Sequence, residues 1–240
     1  MTTEEEKICN VAQIFVKDRS NIDAIIDKFA GDKQFEPDKL PISLFMAGSP
    51  GAGKTEFSKR LIKYLEDGER KKVVRIDPDG IRSMLPGYSG SNSYLFQRSC
   101  SLVVDKIHDY ILRKGKNFIL DGTLSNYERS DENIRRSLER KRFVFIVYIY
   151  QDPLIAWDFT KARENKEGRF IPKNAFIEQF FASKRNANKL KEIYGNRIQL
   201  WFIEKNFQMN DIRFKVNIDN IDNYLEVNYT KEQLEKSLKI

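Results

Sequence analysis

The chain has one histidine, His108, two cysteines, Cys9 and Cys100, and no apolar run near the roughly 18 residues that a membrane-spanning helix requires. Each shortage removes a class of function. One histidine excludes mechanisms that need a pair. The two cysteines have no metal-ligand spacing and form no disulfide framework, so reduced, buried or half-buried thiols are expected. Without a long apolar run, no membrane partner is expected. The first residues, MTTEEEKICN, are acidic and polar where a signal peptide is basic and then apolar, so the expected compartment is the cytoplasm. Internal repeats and low-complexity segments are also missing.

What is present suits one α/β domain with an appendage. At 240 residues, with 40% hydrophobic and 12% aromatic residues, the chain can bury a sizeable core. The net charge of +7 is spread along the chain. Such an excess attracts phosphorylated ligands as readily as nucleic acid, and no basic tail singles out nucleic acid as the partner. The densest cluster is Arg135, Arg136, Arg140, Lys141 and Arg142, which on a helix reads as a solvated face.

Residues 1–40 form a helical N-terminal extension by pattern. Ile8, Val11, Ile14 and Phe15, then Ile22, Ile25, Ile26 and Phe29, recur at helical spacing. Gly31 stops the second helix, and residues 32–41, with Pro37 and Pro41, read as a linker. From there, residues 41–240, the pattern changes. Apolar runs at 42–47, 73–76, 118–120, 143–150 and 198–203 are short and rich in branched or aromatic residues, as strands covered on both faces are. Helix-period segments lie at 54–65, 92–113, 131–142, 153–164 and 174–194. This alternation predicts a doubly wound, mostly parallel five-stranded sheet flanked by helices. Residues 213–216 could add an edge strand and 231–239 a closing helix.

Directly after the first strand comes Gly48, Ser49, Pro50, Gly51, Ala52, Gly53, Lys54 and Thr55, a full match to G-x-x-x-x-G-K-[ST]. The glycines let backbone N–H groups wrap phosphate oxygens, and the helix N-terminus that follows adds partial positive charge. Lys54 is then expected on the β- and γ-phosphates of ATP or GTP, and the Thr55 hydroxyl on Mg²⁺. The guanine-reading N-K-x-D is missing, since Asn165, Lys166 and Glu167 are followed by Gly168. The chain is also short for a motor or helicase, so a kinase gains weight.

In doubly wound sheets ligands bind outside the carboxyl ends of the strands. There the second strand ends in Asp77 and Asp79, and the third in Asp121. Phosphoryl transfer needs a carboxylate to take the proton of the acceptor hydroxyl, and Asp77 is the better placed. Asp121 could hold the acceptor or bind Mg²⁺ directly or through water, while Asp79 also reads as a turn or helix-capping residue. Arg163, and Arg169 after Gly168 in a loop stopped by Pro172, supply positive charge for the transition state from what reads as a lid.

With these motifs in view, residues 42–205 resemble the zeta toxin family of P-loop kinases. The likeness rests on the cradle, on Ile76, Asp77, Pro78 and Asp79 followed by Arg82, Pro86 and Tyr88, on Asp121 to Thr123, and on Arg163, Arg169, Pro172 and Lys173. The resemblance implies a fold like that of nucleoside and shikimate kinases. It also implies transfer of the γ-phosphoryl group to the 3′-hydroxyl of the amino sugar in UDP-N-acetylglucosamine, and restraint by an antitoxin. It makes Asp77 the catalytic base, Arg163 and Arg169 the phosphate-stabilising arginines, and Asp79, Arg82, Asp105, Asp121 and Thr123 the acceptor-binding set. The sequence departs from the family on that acceptor side, with aspartates for glutamates at 105 and 121 and Leu85 where many members have histidine. A polynucleotide or nucleoside kinase, and a nucleotide-dependent binding module or switch, are the alternatives. The extension at 1–40 is either an ornament on the sheet or an inhibitor in cis.

Overall fold

In the computed structural model, which describes residues 2–68, 72–206 and 211–239, the apolar runs become strands of one sheet. They are β1 Ile42–Ala47, β2 Val73–Ile76, β3 Asn117–Leu120, β4 Phe143–Tyr150 and β5 Ile198–Asn206, followed by β6 Asp211–Lys215. The order is β2-β3-β1-β4-β5-β6, with β1 to β5 parallel and β6 antiparallel to β5. The sheet is doubly wound and mostly parallel as expected, but it has six strands rather than five. The sixth reads differently because it is an edge. Ile212 and Phe214 alternate with Arg213 and Lys215, the period-two pattern of a half-covered strand.

Both faces of the parallel strands are covered. On β1, Phe45 and Ala47 face one cluster and Leu44 and Met46 the other. The second cluster is closed by α3 Lys54–Asp67 through Phe57, Leu61 and Ile62. The first and larger one takes α5 Gln97–Lys114, α6 Tyr127–Glu139, α7 Pro153–Glu167, α8 Lys173–Tyr194 and α9 Lys231–Ser237. His108 lies inside it, edge-on to Phe45 and Phe118, where burial pushes its imidazole down to about 3. The histidine is thus a neutral core residue.

Two helical expectations shift. The segment 92–113 divides, with a 3₁₀ turn at Ser93–Phe96 before α5. The helix expected at 131–142 starts earlier, because Asn126 caps it by accepting from Arg129 N at 2.9 Å. It ends at Glu139, and Lys141 turns left-handed at φ 55°. Arg142 is therefore not on a solvated face. It is buried, donating Nε to Ser43 Oγ at 2.6 Å and Nη2 to the Ile42 carbonyl at 2.7 Å, and burial lowers its pKa to about 10.

The N-terminal residues form α1 Thr3–Phe15 and α2 Arg19–Ala30, the first opened by a capping box between Thr2 and Glu5. Ala12, Val16, Ile22, Ile25 and Ala30 are buried in the same cluster as Val74, Ile107 and Phe118. Asp32 accepts from Tyr110 at 2.7 Å, Lys114 at 2.9 Å and Lys116 at 2.6 Å, and the Lys116 bond leads in holding its carboxyl well below the usual range.

Candidate active site at the carboxyl edge of the sheet

The sharp turn from β1 into α3 dictates three glycines. Ala47 pairs with Tyr148, so Gly48 lies against β4, where a Cβ would stand 2.3 Å from the Ile149 carbonyl oxygen. Gly51, at φ 73°, approaches α7 so closely that a Cβ would lie 2.0 Å from the Ala156 carbonyl oxygen. Gly53, at φ 79°, is the left-handed N-cap of α3. These positions admit only glycine, and they aim the first N–H groups of α3 at the loop, the arrangement that binds phosphate. Ser49, Pro50 and Ala52 complete the turn. Lys54 Nζ folds back to the carbonyls of Gly48 at 2.9 Å and Ser49 at 2.6 Å. Burial of the ammonium pushes its pKa down to about 8, partly offset by the carboxylates of Asp121 and Asp79 and reinforced by Arg169 and Arg163.

Strand register brings the acidic ends together. Ile76 pairs with Leu120, so Asp77 and Asp121 leave β2 and β3 side by side. Arg75 clamps them: its Nη1 donates to Asp77 Oδ2 at 2.8 Å, and its Nε, 3.1 Å from Asp121 Oδ2, is joined there by Nη2. Ser58, one turn into α3, lies 3.0 Å from the Thr55 carbonyl and 3.2 Å from Asp121 Oδ2, and accepts from Arg75 Nε at 3.2 Å. The cradle helix and the acidic strand ends are thus one hydrogen-bonded unit. Asp77 also N-caps the short α4 Pro78–Arg82, its Oδ1 accepting from Asp79 N at 3.1 Å.

Asp79 does more than cap. Its Oδ1 accepts from Arg82 Nη1 at 3.0 Å, its Oδ2 pairs with Arg169 Nη1, and Arg163 Nη2 stands 3.8 Å from Oδ2. Arg163 and Arg169 reach this place through α7. Ala156, Thr160 and Arg163 recur at i, i+4 and i+7, and the first two back Gly51. Gly168, at φ 70°, then ends the helix and lets Arg169 turn in.

The remaining predicted residues lie on the flank. The Thr123 carbonyl accepts from Gly48 N at 3.3 Å, and its hydroxyl lies 2.8 Å from Ser125 Oγ. Asp105, on α5, is held by Arg129 of α6 at 3.2 Å, and burial raises its pKa. Leu85 is buried. Three further residues of the cleft belong to no motif. Arg75 sits within an apolar run, although an arginine inside a covered strand beside an aspartate is itself a signal. Ser58 gave none. Lys205, whose Nζ donates to the Gly53 carbonyl at 2.8 Å, lies past the apolar part of β5, where the strand was expected to have ended.

A magnesium–nucleotide fits this donor set. The cradle offers backbone N–H groups and a lysine, and Thr55 and Asp121 carry oxygens of the hard type that Mg²⁺ would take alongside phosphate oxygens. Among the described residues no cluster of three or more His, Cys, Asp or Glu side chains could hold a metal by itself, and Mg²⁺ in phosphoryl-transfer sites needs none. No helix among the described residues is long and apolar enough to cross a membrane.

The zeta toxin family model matches residues 26–213. Among solved structures, that of the PezAT chromosomal toxin–antitoxin system of Streptococcus pneumoniae aligns with a TM-score of 0.66 at 17% identity, over 92% of this chain and 95% of that chain. The AvrRxo1-ORF1:ORF2 complex with ATP aligns with a TM-score of 0.59 at 14% identity, over 98% of this chain and 80% of that one. A chain of the Pnkp1/Rnl/Hen1 RNA repair complex aligns with a TM-score of 0.50 at 14% identity, over 81% and 54%. At these identities the likeness is one of fold. No curated protein matches the sequence.

Proposed function

The chain belongs to the zeta toxin family, and from that premise we propose that it is a phosphotransferase moving the γ-phosphoryl group of ATP or GTP to a hydroxyl of a nucleotide sugar of the UDP-N-acetylglucosamine type. The observation that carries this reading is the bonded frame around the cradle: Ser58 of the cradle helix lies 3.2 Å from Asp121 Oδ2, Arg75 joins Asp121 to Asp77, and Asp79 pairs with Arg169 and stands 3.8 Å from Arg163. One cleft thus holds a phosphate cradle, acceptor-side carboxylates and arginines suited to transition-state charge.

In this reading Asp77 accepts the proton of the acceptor hydroxyl as its oxygen attacks the γ-phosphorus. The bond to the bridging oxygen breaks, and the nucleoside diphosphate leaves with the electron pair. Lys54, Arg163 and Arg169 neutralise charge on the transferring group. Bound Mg²⁺, held by Thr55 and Asp121, would neutralise charge on the β- and γ-phosphates. Arg75 fixes Asp77 and Asp121 through the hydrogen bonds it donates to both. Arg82, Asp105 and Thr123 are assigned to the acceptor in this reading.

The PezAT structure is described as a toxin–antitoxin system, and restraint by a protein partner, or by α1 and α2 in cis, belongs to the same reading. The test is a screen of UDP-sugars, nucleosides and RNA ends with γ-labelled ATP. Label should pass to UDP-N-acetylglucosamine and be lost, by at least about a hundredfold, in Asp77→Asn. Transfer to RNA ends with a steep salt dependence would replace the sugar nucleotide by a polymer acceptor. Transfer undiminished in Asp77→Asn would remove the assigned base.

A further inference from the structure

Asp79 stands among the arginines of the cleft, and no bond made or broken in phosphoryl transfer needs its oxygens. Its main-chain N–H holds Asp77 Oδ1 at 3.1 Å. Its side chain pairs with Arg169, stands 3.8 Å from Arg163 and accepts from Arg82 at 3.0 Å. Arg82 is 7% exposed and also donates to Gln97 Oε1 at 3.2 Å, which ties the carboxylate to the start of α5. Arg169, by contrast, lies beyond Gly168 in a stretch without helix or strand that runs to Lys173. One residue therefore joins the acceptor-side carboxylate, through its main chain, to both lid arginines, through its side chain.

We propose that Asp79 is a positioning residue, a latch that holds Arg163 and Arg169 over the cleft in register with Asp77 before phosphate arrives. The proposal rests on the phosphotransferase reading for its catalytic consequence, but not for the latch itself. Guanidinium groups gathered in one place repel one another, and a carboxylate between them makes their company favourable. Charge already in place needs no reorganisation when the phosphoryl group moves. A guanidinium has five donors, so a bond to Asp79 leaves donors for phosphate oxygens. The opposite reading, that Asp79 withholds the arginines from the nucleotide, predicts the opposite sign.

Two measurements on the full chain decide between them. The first is limited proteolysis without nucleotide. Asp79→Asn should raise tryptic cleavage after Lys166 and Arg169 about fivefold or more, with other sites unchanged, because the lid loses its tie. Asp79→Glu, which keeps the charge, should restore part of the protection. If Asp79→Asn proves globally loosened, Arg169→Gln breaks the same pair without touching Arg82, and faster cleavage after Lys166 is then the expected result. The second is transfer of label from γ-labelled ATP. Asp79→Asn should lower kcat about tenfold to a hundredfold, with KM for ATP within about twofold, the split expected when an interaction matters only in the transition state. In the Arg169→Gln background the same change should cost much less. Equal cleavage of Asp79→Asn and wild type overturns the latch, and an unchanged or raised kcat overturns its role in positioning. A wild-type chain that turns over no ATP strikes the phosphotransferase reading and leaves the cleavage result to decide the latch.

Discussion

Arg75 is the residue on which the acidic side of the cleft depends. Its side chain is 18% exposed and bridges two carboxylates, one of which, Asp121, is nearly buried. Arg75→Met leaves both without their counter-charge, so the native chain should lose about 3 kcal/mol of stability by denaturant titration. Phosphoryl transfer should fall with it, because Asp77 is no longer held. A variant as stable as wild type would show that the clamp is ornamental. Lys54 gives a second expectation. Its ammonium, pushed down to about 8 by burial, attracts phosphate only while protonated. ATP affinity should therefore hold up to about pH 8 and weaken above it, by up to about tenfold per pH unit until the pKa of the complex is reached. Lys54→Met should bind weakly at every pH. Calorimetric titration from pH 7 to 9.5 checks both, and a flat wild-type profile would deny the lysine its role. At this scale the sequence shows that the cradle, Asp77, Arg163 and Arg169 stand out by residue type and spacing, and the structure brings them to one edge of the sheet. The sequence is not legible for Arg75, Ser58 or Lys205, whose importance comes from strand register and from a helix crossing a strand end.

Among the elements, α7 couples the cradle to Asp79. Its first turns back Gly51, and its later turns carry Arg163 toward Asp79. Gly51→Ala puts a methyl group 2.0 Å from the Ala156 carbonyl oxygen at a φ of 73°, so either the cradle or α7 must move. ATP binding by titration calorimetry should fall at least about tenfold, and the chain should lose about 2 kcal/mol or more. Wild-type affinity in this variant would mean that the loop and α7 are not in contact when nucleotide is bound. Four of the five apolar runs begin where their strands begin, because their shortness, their polar or glycine flanks and their branched and aromatic residues all favour a strand over a helix. The helix after β3 departs from its predicted bounds because a cap and a left-handed turn, Asn126 and Lys141, set its ends, and hydrophobic periodicity does not register either. The edge strand was half-legible, since its partner lies on one side only.

At the scale of the whole molecule, the N-terminal helices are woven into the core. Ile22, Ile25 and Ala30 of α2 are buried with Val74 and Phe118, and the Ala30 carbonyl accepts from the fully buried Lys116 at 2.5 Å. Removing residues 2–31 strips these side chains and leaves an apolar face open. Two isoleucines alone represent about 3–6 kcal/mol of burial, enough to leave a chain of this size poorly folded. Such a truncation therefore cannot separate inhibition in cis from loss of the fold. Removing α1 alone, residues 2–16, is the sharper cut. It takes away Ala12 and Val16 and the contacts of Cys9 with the Leu95 carbonyl, at 3.4 Å, and of Glu5 with Tyr94. Those contacts brace the Ser93–Phe96 turn, which leads directly into Gln97, Arg82 and Asp79. A helix that steadies the surroundings of Asp79 in this way should be missed when it goes. The variant should melt about 5–10 °C lower, and its rate of phosphoryl transfer should stay level or fall. A rate that rises severalfold in a folded α1-deleted chain would instead make α1 the brake, and would place the path of inhibition along the turn that joins it to Asp79.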